Sequence, residues 1–180
     1  MFSNKVVLVT GASSGIGAET AQQFSKLDAL LVLTGRNKEN LKNVADRCQE
    51  ISPQKLQPFI VIADMNKESD IENIIKLTLE KYNKLDVLVN NAGVLESGTI
   101  ETTSLAQYDR VINTNVRGPY YLTMLATHAH RRREHPPGIN HNRNKVTKKK
   151  PEASQSISTD SSHSTSCITR KLVVLLQFFH

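Results

Sequence analysis

The amino-acid sequence predicts an α/β fold: a parallel sheet with helices on both faces, carried by residues 1–127 of a 180-residue chain. Two observations predict it. Short, continuous apolar runs alternate with segments whose apolar residues recur every three or four positions. A glycine-rich turn joins the first run to the first helical segment.

Taken in order, residues 5–10 form a Val-rich run of the kind buried on both faces of a sheet. Gly11-Ala-Ser-Ser-Gly-Ile-Gly17 follows, and Ile16, Thr20, Phe24 and Leu27 mark a helix. Residues 29–34 are a second strand, stopped by Gly35. Leu41, Val44, Ala45, Cys48 and Ile51 mark a second helix that Pro53 ends. Residues 57–62 form a third strand, and Ile71, Ile74, Ile75, Leu79 and Tyr82 a third helix. Residues 85–89 are a fourth strand. A fourth helix runs from Ser104, with Leu105, Tyr108, Val111, Ile112 and Val116 expected on its inner side. Repeated strand–helix units with short connections imply right-handed crossovers and the strand order 3-2-1-4.

Composition changes near residue 128. Residues 1–127 hold 13 Lys and Arg against 14 Asp and Glu; residues 128–180 hold 10 against 3. The net charge of +6 therefore belongs to the second stretch, which also holds all six histidines. Arg131–Arg133, Lys148–Lys150 and the serines of 154–166 give a polar, low-complexity sequence, expected to be a disordered basic tail. Without aromatic residues between its charges, it is not expected to bind nucleic acid. His128, His130 and His135 have no cysteine partner nearby, and no metal site is expected. Two cysteines, Cys48 and Cys167, fit a reducing compartment rather than a disulfide framework. No signal peptide precedes the first strand, and the apolar run at 172–179 is too short to cross a membrane, so the cytoplasm is the expected location.

The turn at Thr10-Gly11-Ala-Ser-Ser-Gly15-Ile-Gly17 suits a diphosphate. Gly11 allows a sharp exit from the strand, Gly15 a close approach of the anion, and Gly17 tight packing of the helix. The helix start offers free N–H groups, to which Ser13, Ser14 and Ile16 add hydroxyl or amide donors.

This motif, with Asn90-Asn-Ala-Gly93 after the fourth strand and Asn115 in Thr-Asn-Val-Arg-Gly118, resembles the short-chain dehydrogenase/reductase family. The resemblance covers residues 5 to about 127 and implies a Rossmann-type, nicotinamide-dependent oxidoreductase. It implies cofactor contacts from Gly11, Ser13, Ser14, Gly15, Ile16 and Gly17, from Asp64 near the adenine, and from Asn91, Ala92 and Gly93 at the adenosine ribose. Asn90 is read as a structural tie between strands. The second strand ends in Thr34-Gly35-Arg36-Asn37 with no carboxylate, and Arg36 can fork onto a 2′-phosphate, so NADP(H) is expected over NAD(H).

The resemblance also implies a catalytic Tyr-x-x-x-Lys, a serine on the preceding strand, and an asparagine whose backbone carbonyl holds a water. Four residues beyond Tyr82, Tyr108, Tyr120 and Tyr121 stand Asp86, Ile112, Met124 and Leu125, so no tyrosine fits. Of these roles Asn115 alone has a candidate. The expectation is an oxidoreductase by lineage, acting on a small carbonyl or alcohol, but truncated or miscoded near residue 127 and inactive as this polypeptide. The alternative is a catalytically dead nucleotide-binding or partner-binding protein. Homo-oligomers are expected of the lineage, and an open edge on the fourth strand is expected from the missing half.

Overall fold

A computed structural model describes residues 2–134 and 173–176. Strands β1 (Val6–Thr10), β2 (Leu30–Gly35), β3 (Phe59–Ile62) and β4 (Val87–Asn90) form a parallel sheet in the expected order, 3-2-1-4. Helices α1 (Gly15–Lys26), α2 (Lys38–Ile51) and α3 (Glu68–Tyr82) connect them. After β4 come α4 (Leu105–Ile112), a π turn (Asn113–Arg117) and α5 (Gly118–Glu134). Helix α5 thus carries His128 and the residues up to Glu134, which their polarity had assigned to the tail. The expectation of a disordered basic tail otherwise falls largely outside the described residues.

Strands β1, β2 and β4 are buried on both faces because they are apolar up to Thr10, Thr34 and Asn90 near their carboxyl ends, and successive side chains point to opposite sides. Val7, Val9, Leu31 and Leu33 join Ala18 and Ala21 of α1 and Leu41, Ala45 and Cys48 of α2 in one core. Val6, Leu8, Val32 and Leu88 join Ile71 and Ile74 of α3 and Leu122 and Ala126 of α5 in the other. Each fully buried leucine, such as Leu8, Leu33 or Leu88, contributes about 2 kcal/mol through lost apolar exposure.

Two helix faces differ from the expected ones. In α1 the sheet-facing residues are Gly17, Ala18, Ala21 and Ser25, while Ile16 and Leu27 are exposed. Beyond β4 the inward stripe is Thr114, Gly118, Leu122 and Ala126, while Leu105, Tyr108, Ile112 and Val116 are exposed. The second stripe lies two residues from the expected one, about 200° around a helix. The reason is shared: these helices run close to their neighbours, and small side chains permit that approach where large apolar ones would not.

The fourth strand is not an open edge. Part of the apolar run at 172–179 forms β5 (Val173–Leu176), which pairs in parallel with β4, Val87 opposite Val173 and Asn90 opposite Leu176. The sheet therefore has five strands, in the order β3-β2-β1-β4-β5.

At the amino-terminal end of the sheet, Asp86 joins β1 to β4. It is 7% exposed, its Oδ2 accepts the Val6 N–H at 2.9 Å, and it pairs with Lys84 at 3.5 Å and Lys5 at 3.7 Å. Burial works to raise its pKa, but the Val6 hydrogen bond and the two lysine charges outweigh it and hold the carboxyl below its ordinary value. Asp86 thus stays ionised to lower pH in the folded chain than in the unfolded one. Its stabilisation is present in full above the ordinary carboxylate pKa of about 4 and is lost as the pH falls below it. Asp86→Asn is expected to cost about 2 kcal/mol at neutral pH, with a smaller difference from the wild type in acid, read by urea denaturation at several pH values.

Candidate functional site

A cleft of about 290 Å³ opens at the carboxyl ends of the central strands, where open α/β sheets bind their ligands. Its wall takes Gly11, Ser13, Ser14 and Ile16 from the β1–α1 turn, Arg36 from the end of β2 and Asp64 from beyond β3. Asn91, Ala92 and Gly93 follow from beyond β4. Residues far apart in sequence and singled out there are thus brought together. Gly15 and Gly17 do not line the cleft, and the wall also holds Thr34, Met65, Val94 and Thr114, for which no role was expected.

Three glycines make the turn possible, and Gly15 takes φ +54° with open space around it. Gly11 has φ +64°, and a Cβ there would lie 2.8 Å from Ala92 Cα. A Cβ on Gly17 would lie 2.4 Å from both the Gly11 carbonyl oxygen and Asn91 Nδ2. Gly17 therefore admits the turn and Asn91 beside the helix, more than it packs α1 on the sheet.

Asn91 and Thr10 hold this arrangement. The Thr10 hydroxyl donates to the Val89 carbonyl at 3.2 Å and accepts the N–H groups of Asn91 and Ala92 at 2.9 and 3.0 Å. Asn91 Nδ2 returns bonds to the carbonyls of Thr10 and Gly11 at 2.9 and 3.2 Å. The tie between β1 and β4 is therefore Asn91, whereas Asn90 reaches α5 through Thr123 Oγ1 at 3.0 Å. Thr10 is one residue that sequence reasoning missed. Its signal was a hydroxyl at the end of a strand buried throughout.

The start of α1 is open to an anion. Its N-cap, Ser14, makes no side-chain cap bond, and no acidic residue stands in the first turn. By contrast, Asn37 caps α2 by accepting the Asn40 N–H at 2.9 Å, and Ser104 and Gln107 form a full capping box on α4. The first amides of α1 thus have neither a side-chain cap nor an acidic neighbour in the first turn. Thr34 Oγ1, at the cleft wall, is buried with no hydrogen-bond partner among the described residues.

Arg36 is exposed at the mouth of the cleft. Asp64 lies close enough to feel its charge. Burial works to raise the pKa of Asp64, but the Asn66 hydrogen bonds and the charges of Arg36 and Lys67 hold its carboxyl below the ordinary value.

Asn115 sits in the π turn, a geometry that is rare and frequent at functional sites. Its side chain is committed elsewhere: Oδ1 accepts the Val94 N–H and Nδ2 donates to the Val94 carbonyl, both at 2.8 Å. Burial raises the pKa of Tyr82, and donation to Glu72 at 2.6 Å raises that of half-buried Tyr121.

Comparison with known proteins agrees with this architecture. The sequence profile described as short chain dehydrogenase matches residues 5–135. Short-chain dehydrogenase reductase 3a of Arabidopsis thaliana is 40% identical over 118 residues, 65% of this chain and 44% of that protein. An uncharacterized oxidoreductase of Thermotoga maritima is 36% identical over 125 residues, 69% of this chain and 48% of that one. Among solved structures, a metagenomic short-chain oxidoreductase in complex with NADP superposes with a TM-score of 0.65 at 35% identity, covering 71% of this chain and 57% of that one. Levodione reductase gives a TM-score of 0.70 at 28% identity, covering 74% and 52%. The chain belongs to the short-chain dehydrogenase family, whose members bind NAD(P). It spans about half the length of the curated relatives it matches.

Gly17→Ala is expected to force α1 away from the turn, at about 1–3 kcal/mol for an overpacked contact. Urea denaturation measures the loss. Cys48, fully buried and with its thiol pushed up to about 11 by burial, is expected to resist alkylation in the native protein at pH 8, which peptide mass mapping checks.

Proposed function

We propose that this polypeptide binds NADP(H) in the cleft. The observation that carries the reading is the convergence of an uncapped helix start, Arg36 and the Asn91–Gly93 backbone on one cavity wall. In this reading the amides at the start of α1, with Ser13, Ser14 and Ile16, receive the diphosphate. Gly11, Gly15 and Gly17 let the backbone take that path. Arg36 pairs with the 2′-phosphate, and the end of β2 around it, Thr34 to Asn37, carries no carboxylate. Asp64 takes the adenine edge, its carboxylate held ionised by its neighbours. Asn91, Ala92 and Gly93 present backbone to the ribose, since the Asn91 side chain is spent on Thr10 and Gly11.

The lineage reaction is carbonyl reduction or alcohol oxidation, for which the nicotinamide supplies or accepts the hydride. The chain must then move a proton on the substrate oxygen. Asn115 is the remaining family position for that task, acting through its backbone because its amide clasps Val94. The 180 residues hold no Tyr-x-x-x-Lys. The proposed activity of this polypeptide is therefore nucleotide binding with no appreciable turnover.

A second reading, partner binding, is favoured by one observation. Leu105, Tyr108, Val116 and Tyr120 are 81%, 57%, 57% and 72% exposed along one side of α4 and the segment after it. A second copy of the chain is the partner expected there.

Arg36→Ala is expected to weaken NADPH binding roughly 10- to 100-fold, the worth of a charge-assisted hydrogen bond, while NADH binding changes little. Fluorescence titration with both cofactors measures this, and an equal loss for both would remove the 2′-phosphate role. NADPH oxidation against a panel of small carbonyls is expected to stay at the buffer rate, and clear turnover would refute inactivity.

A further inference from the structure

The loop after β3 and the π turn are joined at two points. Asp64 Oδ1 accepts both the backbone N–H and the side-chain Nδ2 of Asn66, at 3.0 and 3.1 Å. The same Nδ2 donates to Thr114 Oγ1 at 2.8 Å. An amide nitrogen carries two hydrogens, so both bonds form at once. The second contact is steric: a Cβ on Gly118 would lie 2.6 Å from the Met65 carbonyl oxygen, so the missing side chain lets the loop seat on the helix. Thr114 is 5% exposed, and the next residue is Asn115, clasped to Val94. A continuous hydrogen-bonded path thus runs from Asp64 through Asn66 and Thr114 to the turn that holds Asn115.

We propose that Asn66 is a positioning residue, through which a nucleotide seated against Asp64 stiffens the π turn and fixes Asn115. The proposal rests on the nucleotide-binding reading of the cleft. Asn66 touches no ligand itself. It acts because Asp64 is held by its amide, and because Thr114 has that same amide as its side-chain donor. A ligand that orders Asp64 therefore removes freedom from Asn66, and with it from Thr114.

The test uses the full 180-residue protein and 2′,5′-ADP, a probe that carries the adenosine half and its 2′-phosphate and has no nicotinamide. Hydrogen exchange followed by mass spectrometry reads the amides of residues 113–117 with and without the probe, and calorimetry measures binding. The expected result is exchange slowed roughly fivefold by the probe in the wild type, at the low end of coupling between linked sites. Asn66→Ala and Asn66→Asp are expected to bind the probe and to lose that slowing. Each removes the amide donor that joins Asp64 to Thr114, and Asn66, exposed and off the cleft wall, can be changed without altering the wall itself. A merely structural role for Asn66 would change exchange equally with and without the probe. Wild-type binding with no slowing at 113–117, or the same slowing in both variants, overturns the coupling while leaving the nucleotide site standing. A folded wild type that does not bind the probe overturns the nucleotide reading and this inference with it.

Discussion

Five hydrogen bonds between the Thr10–Gly11 corner and residues 89–92 lock the ends of β1 and β4 together. Each is worth about 1 kcal/mol net, but opening the corner would strand several partly buried donors and acceptors at greater cost. Everything in the cleft depends on that lock. It sets the height at which the chain leaves β1, and so the place where α1 begins. It also sets the backbone of Asn91–Gly93 as the opposite shoulder. Gly11 and Gly17 are consequences of the same lock, because Asn91 and Ala92 occupy the space their side chains would take.

Much of this was legible in the sequence. The strands are short, apolar and bounded by turn residues, so their existence and order followed from pattern and connection length. The glycine turn, Arg36, Asp64 and Asn91–Gly93 were recognisable at their strand ends, and the fold brings them to one wall. What was not legible has one physical source. Ala18, Ala21, Gly118 and Ala126 face inward because closely approaching helices need small residues there, and a search for large apolar side chains selects the opposite side. Thr10, Asn66 and Thr114 were missed for a related reason. Their importance lies in which partners the fold supplies, and a lone hydroxyl or amide has no periodicity to announce it.

The exposed side of α4 gains meaning in this light. A helix with a complete capping box and no buried residue is a well-made local structure without a core of its own. Its apolar side chains lie outside both cores, and the Arg110–Glu96 ion pair at 3.0 Å fastens it to the loop after β4. The helix is thus anchored at its polar edge and presents its apolar one. Local propensity and capping have settled its conformation, and none of its residues lies on the cleft wall.

The pairing of β5 with β4 has a consequence for how the protein is made. Val87 and its partner Val173 are 86 residues apart in the chain. At about 5–20 residues per second of synthesis, the ribosome takes roughly 4–17 s to supply the second strand after the first has been made. During that interval β4 has a neighbour on its β1 side alone. Parallel pairing across so long a separation is among the slowest steps of folding. The newborn chain therefore passes through a stage in which its sheet is unfinished, and the occupant of that edge is decided by a race between the ribosome and any other strand within reach.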